Sequence, residues 1–370
     1  TPPQGAWKLL CFMCVKDGDP NVDYLDPDAV QLFVEDTHQR YYDRFPEAFG
    51  EVITETFCDE PTLYRAQGRI WTERFNERFE AAHGFSPEAL YPALWYDTGP
   101  GTAAARNYLF GFRARLYAEG FMKTIHDWAA AHGIRSTGHQ DQEEVLNPVS
   151  VAGDLMLCGK YMDVPGIDKI GGDRPAELFY KVVSSSATNW DKRLVMSETF
   201  GAMGNIPVRE LYTIAMEQYT KGINQLIPHA VWYNDADVTF LPELSYRNPL
   251  YNEALPAFNR FLARLNYLLQ PEGRTVADIA MLYPIETLQA GHYLDGPEGY
   301  YAGGVKLPGT DYIRVAAMLS DTLARDFTYL HPEVLARCPA GRGMLHLDNK
   351  VNHQHYRVLI LPGVKCISPE

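Results

Sequence analysis

Short apolar runs alternate with longer stretches whose apolar residues recur at helical spacing, and that alternation predicts an α/β chain. Residues 9–15 read as a first strand. Asp26-Pro27 opens a helix, with Asp as its cap and Pro at the first helical position, and Val30, Phe33, Val34, Thr37 and Tyr41 share one face. A strand over 52–58 ends on Asp59-Glu60-Pro61. The stretch from about 103 to 132 is helical and stops at Gly133, with a strand over 134–139 directly after it. Part of 154–162 reads as another strand. A helix near 177–186 leads to a strand over 194–198, and Pro207 opens a helix carrying Leu211, Ile214, Ala215 and Tyr219. The run 225–231 is a strand that feeds into Trp232-Tyr233-Asn234.

Six strands separated by helices or long loops suit a (β/α)8 TIM-type barrel or a doubly wound sheet. No Gly-rich phosphate turn follows any strand, which weakens the second. Reactive polar groups follow several different strands, as they do at the C-terminal rim of a barrel. Eight strands close such a barrel, so the first two are expected upstream of Thr1. After Pro271 a buried parallel strand is expected over 275–284, followed by a Gly-, Pro- and Tyr-rich loop over 291–309. A helix over 312–325 and strands over 327–330 and 356–362 complete that part. The reading divides the chain into a barrel over 1–270, N-terminally incomplete, and the start of a Rossmann- or flavodoxin-like domain over 271–370.

Composition narrows the functions. The net charge of -14 argues against a nucleic-acid partner, which needs clustered Lys and Arg. No run approaches the roughly 18 apolar residues that span a bilayer. Cys11 and Cys14 are spaced as C-x-x-C, but no second pair accompanies them, so the cysteines are read as strand packing.

The chemistry suggested is glycosidic cleavage, in which one carboxyl protonates the leaving oxygen and another attacks carbon or activates water. Glu60 and Glu198 each follow an apolar strand, 138 residues apart, close to three βα units of ~40 residues. Placed on the fourth and seventh strands, they face one another across the mouth. Asp59 beside Glu60 is positioned to raise its proton affinity. His139, with Glu143 and Glu144 after it, suits a sugar-hydroxyl clamp or a metal cluster. Asp163, His229, Trp232 and Asn234 complete the candidate substrate-binding set, the indole offering a stacking face. Two rivals stay open: a metal-dependent barrel hydrolase using His139, Glu144, Asp163 and His229, and a non-catalytic sugar-binding barrel.

One family resembles these residues as a set. Residues 22–30 into Phe33, Thr37-His38 and Tyr41-Tyr42, then Phe57-Cys58-Asp59-Glu60-Pro61, are similar to the bacterial glycoside hydrolases of family 106, the α-L-rhamnosidases. So are Asp127-Trp128, His132-Gly133, Thr137-Gly138-His139, the run from Met162 to Asp168, Ser197 to Ala202, Gly222-Ile223-Asn224 and Pro228-His229-Ala230. The resemblance covers most of residues 20–240, and the tail near 356–362 resembles an amidotransferase-like domain. It implies an acid at Glu60, a base at Glu198, inversion, a terminal deoxyhexose as substrate, calcium at the substrate and a secreted or periplasmic protein. Asp59-Glu60-Pro61 also echoes the acid motif of retaining clan A barrels, which would make Glu198 a nucleophile.

Overall fold

The structure, a computed structural model, describes residues 4–16, 22–144, 146–171, 179–234, 236–273, 275–294 and 309–368. Strands β1 (Glu55–Cys58), β2 (Arg135–Gly138), β3 (Val164–Lys169), β4 (Met196–Thr199) and β5 (Gln225–Pro228) form one parallel sheet in sequential order. In a flat sheet the outer two strands would lie about 19 Å apart, four spacings of ~4.8 Å. Instead Gln225 Nε2 of β5 lies 3.5 Å from Glu55 Oε2 of β1. The sheet is therefore curled, and its five C-terminal ends surround a common mouth.

Two of the expected strands are absent from their places. Residues 9–15 form no strand: Leu9, Met13 and Val15 point to solvent, and only Phe12 finds ring partners, in Trp95 and Tyr91. Residues 154–162 hold a helix, Leu155–Lys160. Asp154 caps it, its carboxylate accepting from the Leu157 N–H, and a short apolar run cannot by itself distinguish a buried helix from a buried strand. The strand comes just after, as β3, buried along its whole length. Five strands thus stand among the described residues of the first 270, where six were expected.

The helices follow their patterns more closely. Asp26 caps Pro27–Asp36, which buries Val30 and Val34. The long helical stretch runs over Thr102–Tyr117, a π-turn at Ala118–Lys123 and Thr124–Ala131. Val208–Thr220 buries Leu211, Ile214, Ala215 and Tyr219, as its spacing dictates.

Beyond residue 270 lie β6 (Ile279–Leu282), β7 (Phe327–Leu330), β8 (Ala340–Gly341), β9 (Met344–Asp348), β10 (His353–Tyr356) and β11 (Val358–Ile360). Strands β11, β6 and β7 form a parallel sheet in that order, and β10, β9 and β8 an antiparallel one. The single strand expected over 356–362 is thus divided between two sheets at Arg357. Most of the Gly-, Pro- and Tyr-rich loop lies outside the described residues. A main core cluster runs from Leu25 through Trp128 and Tyr180 to Tyr283, Tyr312 and Tyr329, joining the helices around the curled sheet to β6 and β7. Buried hydrogen bonds cross the same boundary, from His331 Nε2 to Asp154 (2.8 Å) and from Asn189 Nδ2 to the Tyr329 carbonyl (2.7 Å). Cys11 and Cys14 are exposed rather than packed in a strand, while Cys158 is buried in a helix. No helix among the described residues is long and apolar enough to cross a membrane.

Candidate active site

The mouth is assembled from the ends of β1, β2, β3, β4 and β5. At β1, Cys58 is the register partner of Gly138 in β2. Gly138 has φ +134°, and a Cβ there would stand 2.1 Å from the Cys58 carbonyl oxygen, so only glycine lets these strands meet. The chain then turns. Asp59 and Glu60 are exposed at the rim, and Glu60 has φ +50°, a left-handed conformation uncommon outside glycine. Phe200, just past β4, has φ +82°. Such local strain gathers where surrounding structure fixes a functional loop.

After β2, the polar run His139-Gln140-Asp141-Gln142-Glu143-Glu144 is buried throughout. Burial of so many polar groups requires partners. The His139 N–H donates to the Cys58 carbonyl, the Asp141 N–H to that of Pro61, and the Tyr117 hydroxyl to Gln140 Oε1. His139 itself is fully buried at the centre. Its Nε2 lies 3.0 Å from Glu198 Oε2 and 3.4 Å from Asp59 Oδ1, and its Nδ1 lies 3.5 Å from Glu143 Oε1. On the far side of Glu198, His229 Nε2 is 4.0 Å from Oε1.

These distances set the charge states. Burial opposes a charge on His139, but hydrogen bonds to Glu143 and Glu198, with Asp168 nearby, hold its proton affinity well above that of ordinary imidazole. Burial would raise Glu198, yet the same hydrogen bond and the charge of His139, with His229 nearby, hold it below the usual carboxyl range. Asp168, buried on β3, is the register partner of Glu198. Burial, then repulsion from Glu143, Glu198 and Glu60, pushes it up to about 8 against the pull of His139. Glu143 is pushed up to about 7, chiefly by burial and despite His139. Near neutrality the mouth thus holds ionised Glu198 beside Asp168, which keeps most of its proton, and Glu143, which is partly protonated.

Of the residues expected here, Glu198, His139 and Asp59 come together, and Glu60 is near enough for its charge to act on Asp168. Glu144 is buried beside Glu143, adding to the repulsion there. His229 and Trp232 form one aromatic wall, their ring centres 5.7 Å apart. Asn234 is exposed on the same loop, its Oδ1 accepting from the Ala236 N–H. Asp163 is elsewhere. It precedes β3, at the entry end of the sheet, where Oδ2 meets His126 Nδ1 at 3.1 Å and the Ser136 N–H at 2.9 Å. The metal-hydrolase set of His139, Glu144, Asp163 and His229 is therefore not one cluster. Sequence reasoning missed Asp168. Its signal, a carboxylate near the end of an apolar strand, equals that of Glu198, but the apolar pattern puts the strand at 154–162.

The profile of glycoside hydrolase family 106, described as alpha-L-rhamnosidase, matches residues 16–353. The chain belongs to family 106. A comparison with curated proteins finds no match. Among solved structures, a rhamnosidase from Novosphingobium sp. PP1Y has the same fold, with a TM-score of 0.66 at 18% identity over 94% of this chain. A catalytic mutant of Gan42B, a GH42 beta-galactosidase from G. stearothermophilus, matches 84% of the chain with a TM-score of 0.55 at 11% identity. The family 106 chain spans 32% of the length of the first and 50% of the second.

The calcium expected from the resemblance can be tested against the donors. Calcium takes six to eight oxygen ligands. The one three-ligand group found among the described residues, Asp59, His139 and Glu198, has its donor atoms within 4.8 Å of one another. Its central donor is an imidazole nitrogen already hydrogen-bonded to Glu198. That set does not fit calcium, and the chemistry below is carried by the side chains alone.

Proposed function

We propose that this family 106 chain carries the acid–base face of an inverting glycosidase acting on a terminal α-L-rhamnose or a related deoxyhexose. Glu198 is the base and Glu60 the acid. The observation that carries this reading is the His139–Glu198 contact at 3.0 Å, which keeps a carboxylate ionised at the mouth of the curled sheet. In the step proposed, Glu198 takes a proton from water as the water oxygen bonds the anomeric carbon. The glycosidic bond breaks, and Glu60 delivers its proton to the leaving oxygen. His229 and Trp232 supply a wall for the sugar's C–H face, while Asp59, Glu144 and Asn234 are suited to its hydroxyls.

The test is hydrolysis of two substrates by the full chain, a 4-nitrophenyl α-L-rhamnoside and a rhamnosyl disaccharide. Glu198→Gln is expected to reduce kcat by about 10²–10⁴-fold on both. Glu60→Gln is expected to do so only on the disaccharide, because nitrophenolate leaves without a proton. Proton NMR of the first product reports the stereochemistry. A β-configured sugar supports inversion, whereas an α-configured one would make Glu198 a nucleophile. Wild-type rates in both variants would refute the pair.

A further inference from the structure

Far from the mouth in the fold, two histidines face each other across the antiparallel sheet. His346 of β9 and His355 of β10 are direct register partners, on the opposite face from buried Gln354 and Tyr356. Their Nδ1 atoms lie 2.9 Å apart, and their ring centres 4.8 Å. His346 Nε2 is 3.1 Å from the Gly341 carbonyl oxygen. A carbonyl only accepts, so Nε2 carries the hydrogen and Nδ1 keeps a lone pair aimed at His355. His355 is exposed, so its proton can move to Nε2 through water, which leaves a free lone pair on both Nδ1 atoms. Small ring rotations turn them toward one ion.

We infer that His346 and His355 form a surface site for a divalent transition-metal ion, with Cu²⁺ or Ni²⁺ preferred over Zn²⁺. Metal–imidazole bonds are about 2.0–2.1 Å long, so nitrogens 2.9 Å apart subtend about 90° at the ion. That is a cis edge of square-planar or tetragonal coordination, the geometry of Cu²⁺ and Ni²⁺. Tetrahedral zinc would want the nitrogens about 3.3 Å apart. Copper also heads the affinity series for divalent ions. The Gly341 carbonyl plays the outer role usual for a ligating histidine, fixing tautomer and ring orientation from behind. Water fills the remaining positions, and the ion links β9 to β10. The site shares no residue with Asp59, His139 and Glu198 and does not depend on the proposed activity.

The experiment uses the full chain with Cu²⁺ alone, read by electron paramagnetic resonance and equilibrium dialysis. The wild type is expected to give an axial signal with hyperfine structure from two imidazole nitrogens. His346→Ala and His355→Ala should each lose that signal and one bound equivalent, with unchanged melting in metal-free buffer. His355→Gln, which keeps a polar side chain, is the second variant should alanine loosen the sheet. An unchanged spectrum and stoichiometry in these variants would place the copper elsewhere and overturn the site. A wild type that binds no more copper than the double variant would reduce the pair to a hydrogen bond. Displacement of Cu²⁺ by equimolar Zn²⁺ would overturn the square-planar assignment.

Discussion

His139 bonds Glu198 through Nε2 at 3.0 Å, and its Nδ1 meets the Gln140 carbonyl at 3.1 Å with Glu143 Oε1 farther off, at 3.5 Å. Because the ring is fully buried, it cannot turn to water when either partner moves. The rotamer and charge of Glu198 are therefore set by a residue that need not touch the substrate. Replacing His139 by Ala removes a hydrogen bond and a positive charge together, and Glu198 then reverts toward its ordinary proton affinity. The expected outcome is a kcat at least about 10-fold lower and an acid limb of the pH–rate profile moved to higher pH. Comparison of kcat/KM profiles for wild type and His139→Ala checks this. A uniformly lowered rate with an unmoved limb would leave His139 a packing residue. Asp168 offers a complementary case: with its proton on, it can donate to a sugar hydroxyl. Asp168→Asn preserves that donor and should retain more activity than Asp168→Ala, measured on the same substrate.

The strands deliver these groups only because β1 and β2 meet at Gly138. Gly138→Ala forces a Cβ against the Cys58 backbone in a conformation L residues avoid, and about 2–4 kcal/mol of stability is expected to go. Gly84 is the comparison: it ends the helix Phe75–His83 at φ +77°, and a Cβ added there would meet nothing within 4 Å. There Ala pays only for the left-handed backbone, about 1 kcal/mol. Denaturant unfolding of both variants separates crowding from conformation, and equal losses would refute the contact. Elements of this kind were legible where a cap or a polar strand end marked them: Asp26 for the first helix, Glu198 for β4. The run Leu155–Lys160 was not, because its apolar residues fit either period and the decisive Asp154 cap is a side-chain contact. The curl of the sheet was equally hidden, since Glu55 and Gln225 meet across 170 residues of sequence. Tertiary packing also hid the pairing of His139 with Glu198. The sequence marked both residues as strand ends, but their contact depends on the register of three strands.

Across the whole molecule, the mouth concentrates acid on a chain already at -14, and this gives stability a definite dependence on pH. Asp168 and Glu143 have folded-state proton affinities raised to about 8 and about 7, above the unfolded values near 4. The folded protein therefore binds more protons than the unfolded chain across that interval, and stability falls as pH rises through it. His139 acts in the same sense above about 6.5, where the unfolded imidazole has lost a proton that the folded one keeps. Glu198 acts oppositely and only in acid. Its contribution is present above the unfolded value near 4 and is lost as pH falls through its depressed folded value. Stability is thus expected to peak in mildly acidic solution and to decline toward pH 8. Asp168→Asn removes one titrating group and should flatten the decline by up to about 1.4 kcal/mol per pH unit, leaving the variant more stable than wild type at pH 8. Urea unfolding at intervals between pH 4.5 and 8.5 measures the slope. A wild type whose stability rises over that range would mean that Asp168 and Glu143 are ionised in the folded protein.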